Sequence, residues 1–191
     1  MQDSLVSLED AEALIGEIER LRAEVARLEA RVGQLDEMAH RDALVELPNR
    51  RSFSASLERL IGRVERYGDS AAMLFIDVDG LKSINDRYGH KAGDDALIQV
   101  SKILVAAVRK SDAIARIGGD EFAVLLERAD EQSGWQMALR IVETVLAADF
   151  RIDGEPVSLS VAVGVTAIKP DDDPASVIER ADREMYRVKA A

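Results

Sequence analysis

The segment "ARIGGDEFAVLL", residues 115–126, sets an apolar run on either side of Gly118-Gly119-Asp120-Glu121. This pattern predicts a β-hairpin, with the glycines placed where positive φ is needed, since only they adopt it cheaply. The adjacent acids Asp120 and Glu121 have no such purpose. A turn between buried strands does not require carboxylates, so they point toward chemistry.

Outward from the hairpin, "AAMLFIDVD" (71–79) predicts a buried strand that ends in acids, and "VSLSVAVGV" (157–165) alternates, placing Val157, Leu159, Val161, Val163 and Val165 on one face. Helical spacing fills the intervals. Phe53, Leu57, Leu60, Ile61 and Val64 mark a helix that begins after Pro48-Asn49, where a preceding helix breaks. "LKSINDRYGH" (81–90) reads as a short helix or turn. "DDALIQVSKILVAAVRK" (94–110) reads as a long helix with a stripe at Leu97, Val100, Leu104 and Val108. Ala138, Ile141, Val142 and Val145 mark another, and Asp173-Pro174 opens the last, with Asp as N-cap and Pro at the first helical position. The order α-β-α-α-β-β-α-β-α predicts an α+β fold whose sheet is covered by helices on its faces.

Ahead of this lies a heptad pattern over residues 11–39. Ile18, Val25, Val32 and Ala39 occupy one core position, and Leu14, Leu21, Leu28 and Leu35 the other. β-Branched residues at a with Leu at d favour a parallel two-stranded coiled coil. Glu17 facing Arg22 of a second copy, and Arg31 facing Asp36, agree with that arrangement, whereas Glu24 opposite Glu29 repels. A single amphipathic helix packed on its own domain is the alternative. The reading is a coiled-coil dimerisation helix over 1–40 and a globular domain over 41–191.

The sequence of 191 residues is 47% hydrophobic and 32% charged, with a formal net charge of −11. That acidity argues against nucleic acid as a partner, because such binding rests on cationic neutralisation of phosphates. With no cysteine, disulfides and thiolate zinc sites are excluded. The start "MQDSLVSLED" lacks the apolar stretch of a signal peptide, and no run approaches the roughly 18 apolar residues of a membrane span. A cytoplasmic protein with no membrane segment is expected.

Asp77 and Asp79 stand two residues apart on one side of a strand. On the strand alone, Asp79-Gly80 as a turn with Asp77 near solvent stays open. Because residues 71–76 are apolar throughout, however, Asp77 is expected at the edge of the core, where an acid costs several kcal/mol unless paired or metal-bound. If this strand neighbours the hairpin, its acids meet Asp120 and Glu121. Hard oxygen ligands without His or Cys suit Mg2+ or Mn2+. Glycines in the turn would let a triphosphate approach the backbone. The combination points to metal-assisted phosphoryl chemistry.

"RIGGDEF" resembles the signature of the GGDEF family of diguanylate cyclases, and the resemblance continues through "DALVELPNRRSF", "FIDVDGLKSINDRYGHKAGDDAL" and "ADREMYRVK", from about Asp42 to the C-terminus. It implies a palm-like nucleotidyl cyclase domain with a mainly antiparallel sheet, and a dimer in which two GTP condense to cyclic di-GMP. By the same resemblance Asp77, Asp120 and Glu121, with the main-chain carbonyl of Val78, are ligands of Mg2+ or Mn2+. Asp120, with Glu121 beside it, assists deprotonation of the 3′-hydroxyl. Asn85 and Asp94 bind guanine, His90 and Leu81 shape that pocket, and Gly118 and Gly119 form the phosphate-side turn. Lys82 and Lys189 contact the triphosphate. Without the resemblance, Asp94 reads as a helix N-cap and the lysines as surface residues.

"RKSD", Arg109 to Asp112, matches the family's RxxD inhibitory site for product; its plain alternative is a helix end followed by a turn. Arg140 lies on the helix from which a second arginine often comes, although Thr144 stands at the matching position. Val45 replaces a usual Thr and Leu81 a common aromatic. The sequence ends "YRVKAA", before the family's frequent Gly-Arg-Asn, so the arginine that helps hold the terminal phosphates has no counterpart here. A catalytically silent module that binds cyclic di-GMP or GTP is the alternative to an active cyclase.

Overall fold

The computed structural model describes residues 8–190, apart from the side chains of residues 8–13, 32 and 34–38. The chain divides into two compact units, Met1–Ala39 and His40–Ala191.

The first unit is helix α1, which runs from Leu8 to His40. Leu14, Ile15, Ile18, Leu21, Val25 and Leu28 are each about half exposed along it. The expected core positions Val32 and Leu35 lie outside the described side chains. Glu17 and Glu24 are each gripped through two oxygens by Arg20 and Arg27, one turn on, so the repulsive charge expected of Glu24 already has a partner on its own helix.

In the second unit the helix does not persist to Pro48-Asn49. It stops at His40, because the Asp42 carboxylate accepts from the N–H groups of Leu44 and Val45 (3.0 and 3.1 Å) and closes a turn. Pro48 bridges back to Arg41. Asn49 caps α2 (Arg50–Tyr67) by accepting from the N–H of Ser52.

Strand β1 (Ala71–Val78) is central, and both its faces are buried, which explains its unbroken apolar run. It pairs antiparallel with β3 (Glu121–Glu127) on one side and β6 (Val161–Ala167) on the other, while β2 (Ala113–Arg116) lies outside β3. Alternate residues serve different cores. Leu74, Ile76 and Val78, with Phe122 and Val124, meet α4 (His90–Ala107) and α5 (Glu131–Leu146). Met73 and Phe75, with Ala123 and Leu125, meet α2 and α6 (Pro174–Lys189). Gly164 on β6 lets α6 lie directly on the sheet, for a Cβ there would stand 2.1 Å from the carbonyl oxygen of Ala181.

Elsewhere, too, elements differ from the sequence pattern, and α4 ends at Ala107, short of the expected 110. Helix α3 (Leu81–Tyr88) and α4 are separated only by Gly89 at φ 86°, so α4 begins at His90 and Asp94 lies inside it, not at its N-cap. β6 begins at Val161; Val157 and Leu159 precede it outside any strand, though both pack on the expected core face. A small hairpin, β4 (Arg151–Ile152) and β5 (Glu155–Pro156), turns at Asp153-Gly154, both at positive φ. Among the described residues no helix is long and apolar enough to cross a membrane.

Candidate active site

Antiparallel pairing puts Asp77 directly opposite Glu121, so the end of β1 and the start of β3 present their acids side by side. The N–H of Val78 donates to the carbonyl of Asp120 (2.9 Å), which brings the hairpin turn against β1. Asp79 follows, its N–H bonded to the carbonyl of Ser160 and its carboxylate accepting from the Ser160 hydroxyl (2.8 Å). Gly80 at φ 66° then reverses the chain into α3.

Into this group reaches Lys189 from α6, with Nζ 2.5 Å from Asp77 Oδ1 and 3.7 Å from Asp79 Oδ1. The ammonium does not neutralise the cluster. Burial pushes the Asp77 carboxyl above its ordinary value, Asp120 and Asp79 add to the rise, and together they outweigh the pull of Lys189. Glu121 is raised as well, first by burial and then by the charges of Asp120, Asp77 and Asp182. Carboxylates crowded until two resist ionisation fit a divalent cation, which would relieve that repulsion. Among the described residues no three His, Asp or Glu side chains converge as a ready-made ligand set. A cation held by Asp77 and Asp120 would therefore need main-chain oxygen as well, such as the carbonyl of Val78.

The turn glycines have a different reason from the expected one. Neither Gly118 nor Gly119 adopts positive φ. Gly118 instead provides room, since a Cβ there would lie 2.1 Å from Glu121 Oε2. Behind the turn stands Arg116, a residue the sequence pattern did not single out. Its guanidinium donates to the carbonyl of Gly119 (2.6 Å through one terminal nitrogen, 3.3 Å through Nε) and to both oxygens of Asp42 (3.0 and 3.2 Å). Burial tends to raise Asp42, but the N–H groups of Val45 and Leu44 and the Arg116 guanidinium hold it below its ordinary value. Because 74 positions separate Arg116 from Asp42, only the paired register of the hairpin beside the 41–49 segment brings them together.

Helix α3 carries Leu81, half-buried against the core, exposed Lys82, and half-buried Asn85. His90 and Asp94 are exposed on α4. Asn85 lies against Gly93, the neighbour of Asp94, and its Oδ1 is buried without a hydrogen-bond partner. Beyond α4, Asp112 closes a turn, its carboxylate accepting from the N–H groups of Arg109 (2.9 Å) and Glu127 (3.3 Å), while Arg109 is exposed. Arg140 donates to the carbonyl of Ala107 (2.8 Å), close to that turn.

A family model described as diguanylate cyclase, GGDEF domain, matches residues 39–191. Diguanylate cyclase TpbB of Pseudomonas aeruginosa is 43% identical over 161 residues, covering 81% of this chain and 36% of TpbB. Diguanylate cyclase DgcP of the same species is 38% identical over 155 residues, covering 81% of this chain and 23% of DgcP. The chain thus spans well under half the length of these relatives. Among solved structures, the coiled coil and GGDEF domain of DgcB from Caulobacter crescentus, in complex with c-di-GMP, matches with a TM-score of 0.88 at 28% identity, covering 93% of this chain and 95% of that one. The GGDEF domain of TpbB matches with a TM-score of 0.74 at 39% identity, covering 79% and 89%.

Proposed function

We propose that this chain, which belongs to the GGDEF family of diguanylate cyclases, condenses two GTP into cyclic di-GMP with release of two pyrophosphates. The observation that carries the reading is the acidic group at the end of β1, where Asp77 and Glu121 are both held above their ordinary values. A fold gains nothing from that crowding; a phosphoryl-transfer site does.

Each domain binds one GTP. Asp77, Asp120 and the carbonyl of Val78 hold Mg2+ or Mn2+, which when bound lowers the pKa of the 3′-hydroxyl and offsets charge on the phosphoryl oxygens. Asp120, with Glu121 beside it, takes the proton of the 3′-hydroxyl as that oxygen bonds to the α-phosphorus of the other nucleotide and pyrophosphate leaves. A second such transfer closes the ring. Lys82 and Lys189 bind triphosphate oxygens, and the main chain of Gly118 and Gly119 borders them. Asn85 and Asp94 bind guanine, the Asp94 carboxylate accepting from its N1–H and 2-amino groups, in a pocket that Leu81 and His90 help to shape. Adenine offers no such pair of donors, and a carboxylate left without them discriminates against it.

Two finer features belong to the same reading. The apolar stripe of α1, half exposed from Leu14 to Leu28, joins a second copy as a parallel coiled coil and tethers two domains at an effective concentration in about the mM range. Exposed Arg109 binds phosphodiester oxygens of the product from the turn that Asp112 closes, so accumulating cyclic di-GMP slows synthesis. The cytoplasm, with its GTP, is where this reaction belongs.

The test incubates the full chain and a Leu21→Glu/Leu28→Glu variant with GTP and Mg2+ across protein concentrations, identifying product by mass. Cyclic di-GMP is expected from both. Specific activity of the wild type should be flat, whereas that of the variant should rise with concentration. GTP binding without product would instead mean a silent nucleotide-binding module. A variant that stays dimeric, or is equally active at nanomolar concentration, would refute the tether.

A further inference from the structure

Two features at one point on the α3–α4 contact both work against folding. Asn85 Oδ1 is buried and accepts no hydrogen bond, although a buried carbonyl without a donor gives up its hydration for nothing. Gly93 sits within helix α4, where glycine surrenders more backbone entropy than alanine would. Its backbone gives no reason for glycine, because its φ is not in the left-handed region. Its surroundings do. A Cβ on residue 93 would stand 2.0 Å from Asn85 Oδ1, 2.9 Å from Cγ and 3.2 Å from Nδ2. All three of its nearest neighbours are thus atoms of the Asn85 amide.

We propose that Gly93 is a positioning residue for nucleotide affinity: its missing side chain lets Oδ1 of Asn85 lie against residue 93, and this sets the orientation in which the amide meets guanine. Any side chain at 93 turns the amide away. The obstruction falls on the movable end of one side chain and not on backbone, so the substitution is tolerated by the fold while the amide's orientation is lost. Two sacrifices of stability at the same point are explained by a ligand that the amide recognises only in this orientation. The inference rests on the GTP-condensing reading and adds to it the residue that sets Asn85.

A double-mutant cycle over Gly93→Ala and Asn85→Ala in the full chain tests this. Turnover by the wild type is measured first, so that failure of the GTP reading is seen separately. Gly93→Ala is expected to raise KM for GTP about tenfold, as for one lost hydrogen bond to a buried group. Its kcat should change by less than about twofold, with Tm unchanged or about 2 °C higher. In the Asn85→Ala background the same substitution should shift KM by less than about twofold, because the group it acts through is gone. If the wild type binds GTP without turning it over, the cycle is read on Kd by calorimetry. The proposal is overturned if Gly93→Ala leaves GTP affinity within twofold, if it weakens affinity equally in both backgrounds, or if it lowers Tm by several degrees, which would make Gly93 a packing residue.

Discussion

Helix α6 delivers one cation to each end of the central sheet, and the two ends use it differently. Where β1 begins, β6 presents Thr166 and Ala167 opposite Met73 and Ala72. There Arg180 donates to the Thr166 hydroxyl (2.6 Å), the Ala167 carbonyl (2.9 Å) and both oxygens of Asp172 (2.9 and 2.7 Å). The guanidinium holds Asp172 below its ordinary value, further helped by the N–H of Lys169. Where β1 ends, Lys189 meets Asp77 at 2.5 Å, yet burial and the neighbouring acids keep Asp77 raised. One end is a closed ion pair with its hydrogen bonds made. The other carries more acid than its cation answers. The first arrangement stabilises the fold; the second, on the proposed function, is where a ligand would relieve the crowding.

Removing a group should therefore have opposite signatures at the two ends, and the largest effect is expected in the crowded one. Asp120→Ala should lower the initial rate of cyclic di-GMP formation at least about a hundredfold, as for loss of a proton acceptor. Its Tm should stay level or rise, since a like charge leaves the group that raises Asp77 and Glu121. Rates and a melting curve on one preparation decide this. A fall in Tm of several degrees would mean that the acids serve the fold, and the contrast between the ends would break.

At the closed end, Asp172→Asn should cost about 2 kcal/mol, because a largely buried Arg180 keeps its neutral partners but loses its charged one. That corresponds to a Tm lower by about 4–8 °C for a chain of this size, with the rate per folded molecule unchanged. The pH dependence has a definite sign. A carboxyl whose folded pKa is depressed stabilises fully above the ordinary carboxylate value of about 3.9, and that contribution is lost as pH falls through the lower folded value. Wild type and Asp172→Asn should thus differ most at neutral pH and converge in acid. A stability gap that widened on acidification would refute the assignment.

The two ends also differ in how far the sequence reveals them. Asp173-Pro174 announces α6 through local chemistry, and the structure places both a cap and a capping box there. Strand β1, helix α2 and the hairpin are equally legible, because burial imposes the period of the apolar residues. The acids of the site stand out because a buried strand end has no use for them. What escapes is contact between distant segments. Lys189 meets Asp77 across 112 positions, and Arg116 meets Asp42 across 74; neither arginine nor lysine carries a local mark of its partner. The β4–β5 hairpin has a turn signal in Asp153-Gly154, but strands of two residues are too short to show alternation. Asp94 reads as a cap because acids favour helix starts, whereas Gly89 lets α4 begin four residues earlier. Gly118 shows the same limit, since its sequence suggests a torsional role and only the position of the Glu121 carboxylate reveals a spatial one.

A smaller loss of stability than for Asp172→Asn is expected for Lys189→Met, which sharpens the comparison because Lys189 and Arg180 are cations of the same helix. Lys189 is about one-third exposed, at 34%, so its ion pair contributes at most about 1 kcal/mol after solvent screening. Tm should therefore fall by no more than about 3 °C, less than for Asp172→Asn. The chemical consequence should be larger than the structural one. With the ammonium gone, the triphosphate loses a cationic partner, and KM for GTP should rise several-fold, as for one lost charge-assisted hydrogen bond. The matched control is Arg180→Met, which should lower Tm by several degrees and leave KM unchanged. Calorimetric melting and initial rates for the pair separate the two roles. If Lys189→Met destabilises the protein as much as Arg180→Met and leaves KM alone, then Lys189 is a structural ion-pair partner, and both ends of the sheet serve stability.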